Sequence, residues 1–231
     1  MGKITELDFK KNSLRKINSF LQNISYKNNK KDYLIKNPRG EHAVCAGLKE
    51  DISVNIKGHV GYYCGGMNQK ANITIDGNAG TGVGENMMSG SIHIKGNVSQ
   101  SAGATGHGGT IIIDGDASSR CGISMKGVSI IVKGSVGHMS AFMAQSGTLL
   151  ICGNAGDALG DSIYETVIYL AGRPKSLGVD CEEKKITKKD LIEIENLLKK
   201  GNIKKFKSKN FKKYGSARRL YNFKIDNLSD Y

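Results

Sequence analysis

A single-stranded parallel β-helix of about seven turns, right-handed and flanked by helices, is the fold this sequence predicts. Three observations predict it. Seven glycines recur every 19 residues: Gly58, Gly77, Gly96, Gly115, Gly134, Gly153 and Gly172. Each closes an aliphatic-x-aliphatic pair: Val54/Ile56, Ile73/Ile75, Ile92/Ile94, Ile111/Ile113, Ile130/Val132, Leu149/Ile151 and Ile168/Leu170. Glycine overall is about twice its usual share, at 30 of 231 residues, and 27 of these lie between 40 and 178.

The alternation belongs to a strand, whose successive side chains face opposite sides. A period of 19 is too short for a strand–helix–strand unit, which takes about 30 residues. It suits one turn of a coil in which equivalent residues stack at roughly 4.8 Å, so that seven turns make a rod of about 33 Å. A left-handed coil of hexapeptides would want a period divisible by six, which 19 is not. Collagen is excluded by the missing Gly-X-Y period and only two prolines. A flexible linker is excluded by the isoleucines between the glycines.

The columns of the repeat assign the faces. Fourteen inward aliphatics form the core, each worth roughly 1.5–3 kcal/mol on burial. A small apolar column follows two residues after each glycine: Val60, Ala79, Val98, Ala117, Val136 and Ala155. The residue directly after the glycine is mostly a turn former (His59, Asn78, Asn97, Asp116, Ser135, Asn154), so the glycine is expected to supply a positive φ at that corner. A second corner column, Gly65, Gly84, Gly103, Gly122, Ala141 and Gly160, keeps a narrow coil from clashing with itself. Outward, Lys57, Asp76, Lys95, Asp114 and Lys133 form a ladder of alternating charge. Each exposed pair adds only about 0.2–1 kcal/mol, but a slip of one turn would set like charges together. Another outward column starts polar with Asn55, Thr74 and His93 and turns apolar at Ile112, Ile131, Leu150 and Tyr169. That apolar half is expected to be covered, by a flank of this chain or by a partner.

The net charge of +13 sits in the flanks: +7 in 1–39, −1 in 40–178 and +7 in 179–231. The chain therefore divides into a basic helical flank (1–39), the coil (40–178), and a basic C-terminal helix with a tail (179–231). Leu14, Ile17, Leu21 and Ile24 predict a helix over 13–24. Thr187 with Asp190 reads as a capping box, Leu191, Ile194, Leu197 and Leu198 follow, and Gly201 stops the helix. The lysine-rich stretch 202–213 is expected to be a mobile tail. Basic flanks raise the question of nucleic acid. They lack stacking aromatics of the RNA-binding type, a zinc-finger pattern and a helix-turn-helix spacing, so solvated lysines or an acidic partner are favoured.

A polar N-terminus predicts no signal peptide, and no apolar run approaches the roughly 18 residues of a membrane span. Five spaced cysteines without a CxxC pair predict free thiols in a reducing cytoplasm. Cys64 and Cys121 share a column about 14 Å apart, too far to bond.

No catalytic, cofactor-binding or metal-binding residue stands out. Gly80-Thr81-Gly82-Val83-Gly84 looks like a phosphate loop, but no helix follows it and its glycines belong to the columns. The five histidines are scattered, which disfavours a metal site. Glu85, Asp157, Asp161 and Glu165 read as solvated or interfacial. The second half of each turn is rich in Met, Tyr and Phe, which suits either a protein interface or the coil's own packing. The candidate interface residues are Tyr62, Tyr63, Met87, Met88, Arg120, Met125, His138, Phe142, Met143 and Tyr164, with the outward Ile112, Ile131, Leu150 and Tyr169.

At these residues the sequence resembles a known family. Asn37-Pro38-Arg39-Gly40, Gly58-His59-Val60-Gly61-Tyr62-Tyr63-Cys64, Gln100-Ser101-Ala102-Gly103-Ala104-Thr105-Gly106 and Gly156-Asp157-Ala158-Leu159-Gly160-Asp161 are similar to the GXGXG domain that closes the large subunit of glutamate synthase. The tail Tyr214-Gly215-Ser216-Ala217-Arg218-Arg219-Leu220-Tyr221 is similar to the stand-alone GXGXG subunits of glutamate synthase-like complexes, N-methylglutamate synthase among them. The resemblance implies a right-handed β-helix with no active site of its own. It implies a glutamine amidotransferase subunit and a subunit bearing FMN and iron–sulfur clusters as partners, with self-association left open. The alternative is an independent β-helix protein, like the β-helical subunit of formylmethanofuran dehydrogenase or a carbohydrate-binding protein.

Overall fold

A computed structural model of the chain describes residues 4–24 and 32–218. In chain order the elements are β1 (Thr5–Asp8), α1 (Leu14–Gln22), β2 (Asp32–Lys36), β3 (Ser53–Lys57), β4 (Asn72–Ile75), β5 (Ser91–Ile94) and β6 (Thr110–Ile113). They continue as β7 (Lys126–Val132), β8 (Ser146–Ile151), β9 (Val167–Leu170), β10 (Cys181–Lys184), α2 (Lys188–Lys200), a 3-10 turn (Ser208–Asn210) and β11 (Lys212–Ser216). All the strands join one sheet in the order β1 to β9, then β11, then β10. Strands β1 to β9 pair parallel, which is the ladder of a parallel β-helix.

The register follows the 19-residue repeat: Val54 stands against Ile73, Ile73 against Ile92, and Ile92 against Ile111. Their side chains, with the rest of the inward column, are almost wholly buried. The column two residues past each glycine forms a second stacked line, with parallel bridges from Val60 through Ala79, Val98, Ala117 and Val136 to Ala155. Burying one face on each of two stacked lines leaves one continuous apolar core.

The N-terminal flank is more than a helix. Its strands β1 and β2 extend the coil's sheet, and Tyr33 and Ile35 enter the core. Tyr33-x-Ile35 carries the same alternation as the later strands. It falls outside the 19-residue count because Asp32 pairs with Ser53, a step of 21. Helix α1 starts at the Ser13 cap and buries Ile17 and Leu21. Its amides fasten it to the first turn: Asn18 donates to the Ala43 carbonyl (2.8 Å) and accepts from the Cys45 N–H (2.9 Å), while Gln22 donates to Ala46 (2.7 Å).

The repeat glycines act by their size. Of the seven, Gly58 alone has positive φ (+128°), so the expected left-handed corner is wrong for the other six. The residue after each glycine accepts a hydrogen bond from the corresponding backbone N–H one turn on. Asn78 N–H donates to His59 Nδ1, Asn97 N–H to Asn78 Oδ1, and Asp116 N–H to Asn97 Oδ1. The line continues through Asp116, Ser135 and Asn154 to the Arg173 N–H. A Cβ at Gly115 would stand 2.1 Å from Asn97 Oδ1, so glycine leaves the ladder its room. The second corner column does need positive φ, as at Gly84 (+69°), where a Cβ would also meet Ile111 Cδ1 at 2.7 Å.

The charge ladder forms in two segments, without a bond between Lys95 and Asp114. Asp76 lies between Lys57 and Lys95 (2.6 Å to Lys95), and Asp114 takes Lys133 (2.8 Å) and His93 (2.9 Å). Both lysines hold the Asp76 carboxyl below its usual range.

The apolar half of the outer face is covered by this chain's own flank. Ile131, Leu150 and Tyr169 pack with Ile194, Leu197 and Leu198 of α2 and with Phe211 in a second core, against which Ile112 is half-buried. These four residues therefore leave the candidate partner surface, because α2 already occupies it. The same core corrects the mobile tail. Ile203, Phe206 and Phe211 anchor residues 203–211, and β11 pairs antiparallel with both β9 and β10. The lysine count hid this apolar triplet. The described sheet thus ends on β1 at one side and β10 at the other, each four residues long and bearing acidic side chains, which suits an edge that resists further pairing.

Candidate interaction surface

The second half of each turn is a third wall of the coil, built from residues in an unusual conformation. The fifth, seventh and ninth residues after the repeat glycine take left-handed φ: Tyr63 (58°), Gly65 (65°) and Met67 (56°) in one turn, Met139 (53°), Ala141 (58°) and Met143 (50°) in another. Such non-glycine positions cost of order 1–3 kcal/mol each and persist only when surroundings over-determine them. Here the neighbouring turns do so. Tyr63 N–H donates to Thr81 O (2.8 Å) and Met67 N–H to Glu85 O (2.7 Å) on one side, and Gly65 N–H donates to Val44 O (2.9 Å) on the other. The loops are thereby clamped turn to turn.

Burial in this wall sorts the candidate residues. Cys64, Met87 and Met125 point inward and are fully buried, so Met87 and Met125 are core and not interface. Tyr62, Tyr63, Met88 and Met143 are exposed by 51, 48, 49 and 42%. Arg120 and His138 are also exposed, and Phe142 and Tyr164 are half-buried. Met67, 56% exposed, is the residue missed by sequence; it shares a column with Met143, and that column was the available signal.

The tyrosines are placed by aromatic contact and by missing side chains. Tyr62 stacks on His42 at 4.5 Å and 20°, and meets Tyr63 edge-on at 6.4 Å. A Cβ at Gly80 would come 2.9 Å from the Tyr62 ring, and one at Gly82 would come 2.7 Å from the Tyr63 ring. The phosphate-loop-like Gly80-Thr81-Gly82 is thus the seat of two tyrosine rings. Exposed Tyr and Met held by a stiff backbone are the residue types enriched at protein interfaces.

The thiols lie inside, and two of the loop carboxylates have partners. All five thiols are free and buried, and burial pushes Cys64 and Cys121 up to about 12 and Cys152 and Cys181 to about 11. Asp157 pairs with Lys175 (2.8 Å), and Asp161 accepts from the Ser162 hydroxyl (2.8 Å). Among the described residues no three His, Cys, Asp or Glu side chains gather to hold a metal ion, and no helix is long and apolar enough to cross a membrane.

The profile of the family described as "GXGXG motif" matches residues 34–225, from β2 through α2 and β11. The chain is 57% identical over 225 residues to Protein GlxC of Rhizobium meliloti (strain 1021), covering 97% of this chain and 99% of that protein.

Proposed function

The chain belongs to the GXGXG motif family, and from that premise we propose that it is a non-catalytic scaffold subunit of a glutamate synthase-type complex. Its partners are a glutamine amidotransferase subunit, which releases ammonia, and a subunit that holds FMN and iron–sulfur clusters and uses that ammonia in glutamate or N-methylglutamate formation. The complex works in the cytoplasm. Family membership over nearly the whole chain is the observation that carries this reading. The clamped wall supports it: a surface stiffened turn by turn can hold two catalytic partners at a fixed distance, and small displacements cost much when a reactive intermediate must pass between sites. The exposed Tyr62, Tyr63, Met67, Met88 and Met143 are the residues proposed to meet a partner.

Affinity purification of the tagged chain from its native host tests the proposal. Recovery of a glutaminase-like protein and an FMN-binding protein is the expected result. A chain that purifies alone and turns over a substrate by itself overturns it.

A further inference from the structure

We propose that residues 199–209 form a rigid cationic comb that docks on a carboxylate-rich protein surface of a partner subunit, an inference that rests on the complex proposed above. The stretch holds six lysines and no acidic residue: Lys199, Lys200, Lys204, Lys205, Lys207 and Lys209. All six are exposed. The backbone beneath them is fixed. Ile203, Phe206 and Phe211 are anchored in the second core, Gly201 packs under Ile131, and Ser208 N–H donates to Glu195 (2.9 Å).

Along the coil's ladder the lysines are neutralised, and beside the comb Lys212 and Lys213 pair with Glu183 and Asp190. Lys57, Lys95 and Lys133 each have an aspartate in the ladder. None of the six comb lysines has an ion pair among the described residues. Glu195, whose carboxyl feels Lys207, is spent on the Ser208 amide. The helix dipole accounts for Lys199 and Lys200 at the end of α2, but its reach ends within the last turn. Of the four beyond it, Lys205 lies 5.9 Å from the centre of the Phe206 ring and Lys207 near Glu195, but none has an ion pair among the described residues, so they stand as like charges on a fixed frame.

Such an array loses little conformational freedom on binding and steers an acidic surface toward it. Protein is favoured over nucleic acid on two grounds. Phe206 and Phe211, which could stack on bases, are turned toward the core. The cations are all lysine, without the arginine fork that grips phosphate bidentately.

Lysine acetylation read by mass spectrometry, on the purified native complex and on the free full-length chain, tests the inference. The six lysines should react roughly tenfold more slowly in the complex, and carbodiimide should join them to carboxylates of another subunit. An intact complex in which they acetylate as fast as in the free chain overturns the comb while leaving the scaffold role standing. A chain that purifies alone overturns both. Protection abolished by nuclease makes the occupant a nucleic acid and overturns the comb. A variant carrying Lys204→Glu, Lys205→Glu, Lys207→Glu and Lys209→Glu, with an unchanged circular dichroism spectrum, should rejoin the complex about tenfold more slowly at low salt and near the native rate at high salt. Equal rates at low salt contradict the proposal.

Discussion

At each corner of the coil the side chain after the repeat glycine reaches to the next turn's backbone, and from Gly96 to Gly172 the next glycine makes room for it. Asn97 Oδ1 accepts the Asp116 N–H at 2.8 Å, directly where a Cβ on residue 115 would fall. Gly115→Ala should therefore cost about 1–3 kcal/mol by crowding. Adding Asn97→Ala should return part of that cost, a coupling that urea unfolding of the two single variants and the double variant would measure. Strict additivity would mean that backbone strain and not the ladder sets the glycine. A second residue-scale case is Asp190, buried at the start of α2. Burial alone would raise its pKa. Hydrogen bonds from Lys213, Thr187 and Tyr169 outweigh that and hold the carboxyl far below the usual range. A depressed carboxyl stabilises the fold above its unfolded pKa of about 3.9 and loses that effect as pH falls toward the folded value. Asp190→Asn should lower stability by about 1.5–3 kcal/mol at neutral pH, and its thermal midpoint should converge with the native one as acid is added. A gap that persists unchanged in strong acid would assign the effect to packing.

The elements divide into two cores with different routes to solvent. The coil's strands bury one continuous aliphatic column, while α2 and residues 203–211 cover only the outer face through the smaller second core. Small units of this kind open at lower free energy than the body they cover. Amide exchange of Ile194 to Leu198 should be faster than that of Ile92 to Ile113, and the reverse order would show one cooperative unit. Phe211 is the anchor between the 3-10 turn and β11. Phe211→Ala should cost about 3–5 kcal/mol locally and make the lysines of 204–209 rapid trypsin sites, while the native chain is cut there slowly. At this scale the sequence was legible wherever side chains alternate in register. The Thr187–Asp190 cap, the Gly201 stop and both helices fall where their signals place them. The 203–211 stretch was not legible, because lysines outnumber its three apolar anchors and no period marks them.

For the whole molecule, stacking decides what is available to react or bind. All five thiols lie inside, with pKa raised by desolvation, most strongly along the coil's axis. A thiol reagent at pH 8 should label the native chain slowly and all five cysteines after denaturation; fast labelling of Cys64 or Cys121 would contradict the packed interior. The same stacking leaves Tyr62, Tyr63, Met67, Met88 and Met143 outside on clamped backbone, which is the surface offered to partners.

The sequence by itself determined the coil: its period, its core columns, its charge ladder and the need to cover the outer apolar face. Those features repeat every 19 residues, and a repeat writes tertiary neighbours into sequence spacing. Only the tertiary structure decided what does not repeat. It showed that α2 supplies the cover, that β1 and β2 begin the sheet at a different step, that Met87 turns in while Met88 turns out, and that the corner glycines answer to a neighbouring side chain. Each of those depends on which atoms meet across turns or flanks, and single-turn spacing carries no record of that contact.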